Sequence, residues 1–116
     1  MGPLSAETFH LIDRAAFEPM RPSAVLINTA RGQIVDERAL VAALRDRMIE
    51  GAALDVYEHE PAVPEELLSL ENVVLTPHLG SATRDTREAM GMLAVSAVRV
   101  VLIDGRAPPN VVRSRG

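Results

Sequence analysis

The 116-residue sequence is 47% hydrophobic and 24% charged, the size and make-up of one soluble globular domain with a core of its own. A formal charge of −4, a pI near 5.3 and the absence of any run among its twelve basic residues argue against nucleic acid or anionic lipid as partner. With no cysteine, disulfides and thiolate metal sites are excluded, and the cytoplasm is the expected compartment. Met1 to Ser5 has no basic-then-apolar leader pattern, no apolar stretch approaches the roughly 18–20 residues of a membrane span, and Ala6 stands where a myristoylation motif needs Ser or Thr.

Two short helical turns are expected first, one after Ser5 and one capped by Asp13, each ahead of an apolar cluster. His10 falls within the first. Ala24 to Ile27 is a continuous apolar run, which suits a strand covered on both faces, and a loop from Asn28 to Gln33 follows. Asp36 is placed as an N-cap, with Val35 and Leu40 spaced as a hydrophobic staple and Leu40, Leu44 and Met48 at helical intervals. Gly51 is expected to break that helix. Ala52 to Tyr57 then predicts a second buried strand with one carboxylate, Asp55, inside it.

Glu58 to Pro64 is a proline-bounded loop, Glu65 to Leu70 a short helix, and Val73 to Thr76 a third strand stopped by Pro77. A long helix is predicted from Ser81 or Thr83 to about Asp104, ended by Gly105. Its stripe of Met90, Leu93, Ala94, Ala97 and Val101 is expected to face core or an interface. Strands alternating with helices imply α/β architecture: a partial doubly wound, Rossmann-like parallel sheet of about three strands, one face or edge of which lacks partners.

In such sheets ligands bind beyond the carboxyl ends of the strands. The three exits carry Arg31, then Asp55 and Glu60, then His78. An arginine can grip a carboxylate bidentately, and a histidine beside a carboxylate can exchange a proton at a carbonyl or hydroxyl oxygen. The combination describes an alpha-hydroxy or alpha-keto acid. Each residue also has a plainer reading: Arg31 as a loop brace, His78 as a turn residue, Glu60 as a solvated acid. Asp55 is equally an acceptor for nearby backbone amides or for a ligand amide. His59, between Glu58 and Glu60, is a weak metal signal, and no metal is expected.

Three blocks carry a resemblance. Ala24 to Glu37 (AVLINTARGQIVDE), Gly51 to Pro61 (GAALDVYEHEP) and Asn72 to Thr83 (NVVLTPHLGSAT) resemble, in order, consecutive signature blocks of the D-2-hydroxyacid dehydrogenases, the family of phosphoglycerate dehydrogenase and glyoxylate/hydroxypyruvate reductase. Pro3 to Ile12 and Pro109 to Val112 are similar to the family's flanking segments. The resemblance implies hydride transfer between NAD or NADP and a D-2-hydroxy acid or 2-oxo acid, in a protein that is a homodimer at full length. It implies Arg31 for the substrate carboxylate, His78 as acid/base and Glu60, rather than Glu58, as its partner. It further implies Asp55 for the nicotinamide carboxamide, with Thr29, Ala30, Gly80 and Ser81 lining the nicotinamide side.

Gln33 departs from the glycine common in the family after Arg-Gly. No Gly-x-Gly-x-x-Gly occurs, and the family's substrate domain has no counterpart, so the sequence does not show whether NAD or NADP is preferred. The expected organisation is the C-terminal half of an NAD(P)-binding domain over residues 3–104, with a tail over 105–116 leading back to a substrate domain. The competing reading is a non-catalytic dimerisation or ligand-sensing module derived from the same fold.

Overall fold

A computed structural model of the chain describes residues 4–111. Pro3 and Val112, compared above, and the end of the tail lie outside the described residues. The chain forms two compact units, Met1–Gly80 and Ser81–Gly116.

The first unit contains α1 (Arg14–Phe17), β1 (Val25–Asn28), α2 (Glu37–Arg45), β2 (Gly51–Leu54), α3 (Glu65–Leu68) and β3 (Val73–Leu75). The strands lie in the order β1-β2-β3, all parallel. Register and alternation sort the side chains into two faces. Leu26, Ala52 and Val73 form one row and Asn28, Leu54 and Leu75 the next, and both rows turn toward the core. There Phe17 of α1, Leu40 and Leu44 of α2, Ile49 and Leu67 of α3 are sealed from solvent.

The opposite face is open. Val25, Ile27 and Val74 are exposed, Ile27 by 69%. The expectation that the first strand is covered on both faces is therefore corrected: one face of β1 is bare, and β2 alone is buried almost throughout. An apolar run carries no information about whether both covering layers belong to the same chain.

The sequence places the helix starts well because caps are local. Asp13 accepts the Ala16 amide, and the Asp36 carboxylate accepts the amides of Arg38 and Ala39, satisfying donors that the first turn leaves unpaired. The stop of α2 differs from expectation. Arg47, at φ 55, turns the chain, with the Met48 amide reaching the Ala43 carbonyl at 2.9 Å, and Gly51 instead opens β2. Gly51 is required there by contact: a Cβ would sit 2.8 Å from the Asn72 carbonyl oxygen. His10 is likewise no helix residue; at φ 50 it ends a hydrogen-bonded turn, and the chain then runs into a parallel bridge between Ile12 and Val35.

The second unit is built on α4 (Arg84–Leu102), N-capped by Thr83 and closed at Gly105, φ 63. No residue of α4 is buried, so of the two expectations for its apolar stripe, core or interface, the first is corrected: Met90 is exposed by 55% and Leu93 by 63%. Among the described residues no helix is long and apolar enough to cross a membrane.

These burials predict contrasting substitutions. Leu44→Ala, at a fully enclosed site, is expected to cost about 2–5 kcal/mol, whereas Val95→Ser on exposed α4 should stay within about 0.5 kcal/mol. Urea unfolding followed by far-UV circular dichroism checks both; equal losses would contradict this assignment of the core.

Candidate active site

The site is built from the three turns that leave the carboxyl ends of the strands. After β1, Asn28 folds the chain back on itself: its side chain accepts the Ala30 amide at 3.1 Å and donates to the Arg31 carbonyl at 3.0 Å. This Asx turn leaves the Arg31 guanidinium exposed, its Nη1 donating to the neighbouring Ala30 carbonyl at 2.6 Å. Thr29 and Ala30 lie on the same turn, Thr29 exposed and Ala30 half-buried.

After β2, the strand stops before Asp55, not after Tyr57 as expected, although Asp55, Val56 and Tyr57 are all buried. The ladder ends with its neighbours, since Leu54 pairs with the last residues of β1 and β3. The Asp55 amide makes a final bond to the Asn28 carbonyl at 3.0 Å, while the Asp55 side chain is committed to the turn after β3. Its Oδ1 accepts the Thr76 hydroxyl at 2.7 Å and the Leu79 amide at 2.7 Å, and its Oδ2 accepts the Gly80 amide at 2.8 Å. The Thr76 hydroxyl first, then the Leu79 amide, hold the Asp55 carboxyl below its ordinary range. Of about four lone-pair positions on a carboxylate, one on Oδ2 is left.

Those bonds shape the turn that carries His78, whose backbone has φ 54, a left-handed conformation costing a residue with a side chain roughly 1 kcal/mol. The imidazole Nδ1 meets Glu60 Oε2 at 2.8 Å. Glu60, across a cis peptide bond from Pro61, uses its other oxygen to accept the Tyr57 amide at 3.0 Å. The hydrogen bond from His78 and then that from Tyr57 lower the Glu60 carboxyl, with Arg31 adding a favourable field. Glu60 is ionised near neutrality, so the imidazole donates through Nδ1. The pair is open to solvent, His78 by 46%, and borders a cavity of about 310 Å³ lined by Tyr57, Val63, Leu75 and Pro77.

The structure thus brings Arg31, Asp55, Glu60, His78 and Gly80 to one edge of the sheet. Ser81 is exposed in the second unit. Glu58, the acid passed over in favour of Glu60, points elsewhere: its carboxylate accepts the Glu37 amide at 2.8 Å. Sequence reasoning missed Asn28, Tyr57 and Thr76. An Asn at a strand exit is a readable Asx-turn signal. The Tyr57 phenol, which donates to the Thr76 carbonyl at 2.8 Å, left no pattern to read.

Known proteins share the chain's sequence and fold. Residues 1–80 match the NAD binding domain of the D-isomer specific 2-hydroxyacid dehydrogenases. The chain belongs to this family. A glyoxylate reductase of Thermococcus litoralis is 48% identical over 95% of the chain and 33% of its own length. An NADPH-dependent glyoxylate/hydroxypyruvate reductase of Sinorhizobium meliloti, solved in complex with NADP and malonate, superposes with a TM-score of 0.88 at 45% identity, covering 92% of this chain and 34% of that one. An apo D-mandelate dehydrogenase of Rhodotorula graminis superposes at 0.81 and 35% identity, over 97% of this chain and 34% of its own. The chain therefore spans about a third of the length of these relatives. The partial Rossmann-like fold is that of the family's solved members.

The two lowered carboxyls set an acid limit. A depressed folded-state pKa contributes stability that is present above the unfolded value and lost as pH falls through the folded one. Asp55 and Glu60 act in this sense. Glu37, raised chiefly by its burial, acts oppositely: its protonated form favours the fold, and that contribution fades as pH rises through its folded pKa. Asp55→Asn should therefore be less stable than the parent at pH 7, with the gap narrowing as pH falls below about 4. Urea midpoints across that range test it; a gap independent of pH would remove Asp55 as a charged anchor.

Proposed function

We propose that this chain supplies the carboxylate-binding and proton-transfer part of an NAD(P)-dependent oxidoreductase that interconverts small 2-oxo acids and D-2-hydroxy acids. The observation that carries the reading is the 2.8 Å pair of His78 and Glu60, held open to solvent on the sheet edge that also presents Arg31. Two relatives named for glyoxylate reduction support a small 2-oxo acid of the glyoxylate or hydroxypyruvate kind.

The Arg31 guanidinium pairs with the substrate carboxylate and fixes its orientation, which lowers the entropic part of the barrier. With Nδ1 engaged by Glu60, His78 presents Nε2 to the substrate's C2 oxygen. In the reducing direction the imidazolium gives its proton to that oxygen, and in the oxidising direction the neutral ring takes it back. Glu60 stabilises the charged ring and holds one tautomer when it is neutral.

The nicotinamide, when bound, exchanges hydride with C2. The donor set fits it: Asp55 keeps one acceptor position on Oδ2 for a carboxamide N–H, and Gly80, whose Cβ would lie 3.3 Å from that oxygen, keeps the approach clear. Thr29 and Ala30 would line the same side. The sequence contains no glycine-rich phosphate loop, so the pyrophosphate is assigned to residues beyond this chain.

Two outcomes test the reading. In a full-length protein carrying this sequence, His78→Gln should lower kcat by roughly 10²–10⁴-fold, while Arg31→Ala should chiefly raise KM for the 2-oxo acid. The chain alone should show weak or no NADH-dependent reduction of glyoxylate. Robust turnover by the chain alone, or a His78→Gln enzyme of normal kcat, would reject it.

A further inference from the structure

Glu58 is the residue on which the two loops of the site are fastened together. Its amide, its carbonyl and one carboxylate oxygen are all bonded to the segment that follows Arg31. Its amide donates to Glu37 Oε1 at 2.9 Å, and its carbonyl accepts from Gln33 Nε2 at 2.8 Å. Its carboxylate Oε1 accepts the Glu37 amide at 2.8 Å and lies 3.2 Å from His10 Nε2. The main chains touch at the same place: a Cβ on Gly32 would collide with the Tyr57 carbonyl and the Glu58 nitrogen. The amide that holds Glu60 Oε1 is that of Tyr57, the residue clamped by this contact.

From this we infer that Gln33, acting with Glu37 through Glu58, is a positioning residue: it clasps the Glu58 loop to the Arg31 loop and so holds Glu60 in register with His78. Gln33 touches neither ring nor carboxylate of the pair and acts only through the loop. Glu37 is buried and cannot be changed lightly, but Gln33 is half-buried and its side-chain donor can be removed without opening a cavity. A residue with no donor at this position would leave the Glu58 carbonyl unpaired and free the loop to move away from His78. The device rests on the His78 and Glu60 pairing proposed above.

The tautomer of His78 reads the device directly. A neutral imidazole facing a carboxylate through Nδ1 keeps its proton there, and the ring ¹⁵N shifts report the Nδ1–H and Nε2–H populations. Long-range ¹H–¹⁵N spectra of the whole chain at pH 8 would compare the parent with Glu60→Gln, Gln33→Met and Gln33→Lys, each checked for native circular dichroism. Glu60→Gln should raise the ratio of Nε2–H to Nδ1–H, and Gln33→Met should raise it about threefold or more, because the charge-assisted bond is weakened without being deleted. Gln33→Lys, which keeps a donor of similar reach, should return the ratio toward the parent. A parental ratio in Gln33→Met while Glu60→Gln shifts it would overturn the clasp and leave the pairing intact, as would a Gln33→Lys chain that behaves like Gln33→Met. No shift in Glu60→Gln would overturn the pairing and the clasp with it.

Discussion

The carboxylate of Asp55 is the interaction on which the rest of this site depends. It accepts three hydrogen bonds from residues 76–80, all within one turn. Those bonds run from the end of β2 to the exit of β3, so the sheet and the turn cannot move independently. They also oppose the cost of His78's left-handed backbone, which an unsupported turn would relieve by relaxing. The energy that bends the chain around His78 comes from a residue that the family resemblance treats as a ligand contact. Both roles are compatible, since a carboxylate has more acceptor positions than these amides use.

Chemically identical groups are sorted here by environment. Glu60, open to water and paired with an imidazole, stays ionised and can balance a positive ring. Glu37, buried beside another acid, is pushed toward its neutral form and gives one oxygen to the Glu58 amide. Glu58 lies between them in sequence and in role, an acid used as a fastener. Nothing in residue type distinguishes the three; the loops they occupy do.

Legibility in the sequence followed locality. The caps Asp13, Asp36 and Thr83 announce helix starts because capping involves residues two or three apart, and the strand order follows from three apolar runs separated by helices. The meeting of Arg31, Glu60 and His78 on one edge was legible because parallel strands all exit on the same side. What was hidden is long-range or concerns partners. The Asp55 carboxylate bonds to atoms more than twenty residues away, and the bare face carrying Ile27 and Val74 is as apolar in sequence as the covered one. The bond from Gln33 to Glu58 spans twenty-five residues and has no pattern at all.

Gly32 has a consequence for how such a site can diverge. Where it meets Tyr57 and Glu58 the contact is main chain against main chain, with no room for even a methyl group. Side chains drift, and with them fit and affinity, but a contact between backbones offers mutation nothing to tune. The loop that carries Arg31 and the loop that carries Glu60 are thus separated by a spacer of fixed length. Side chains around this frame are free to grow or shrink, while the distance between its two loops stays set by backbone alone.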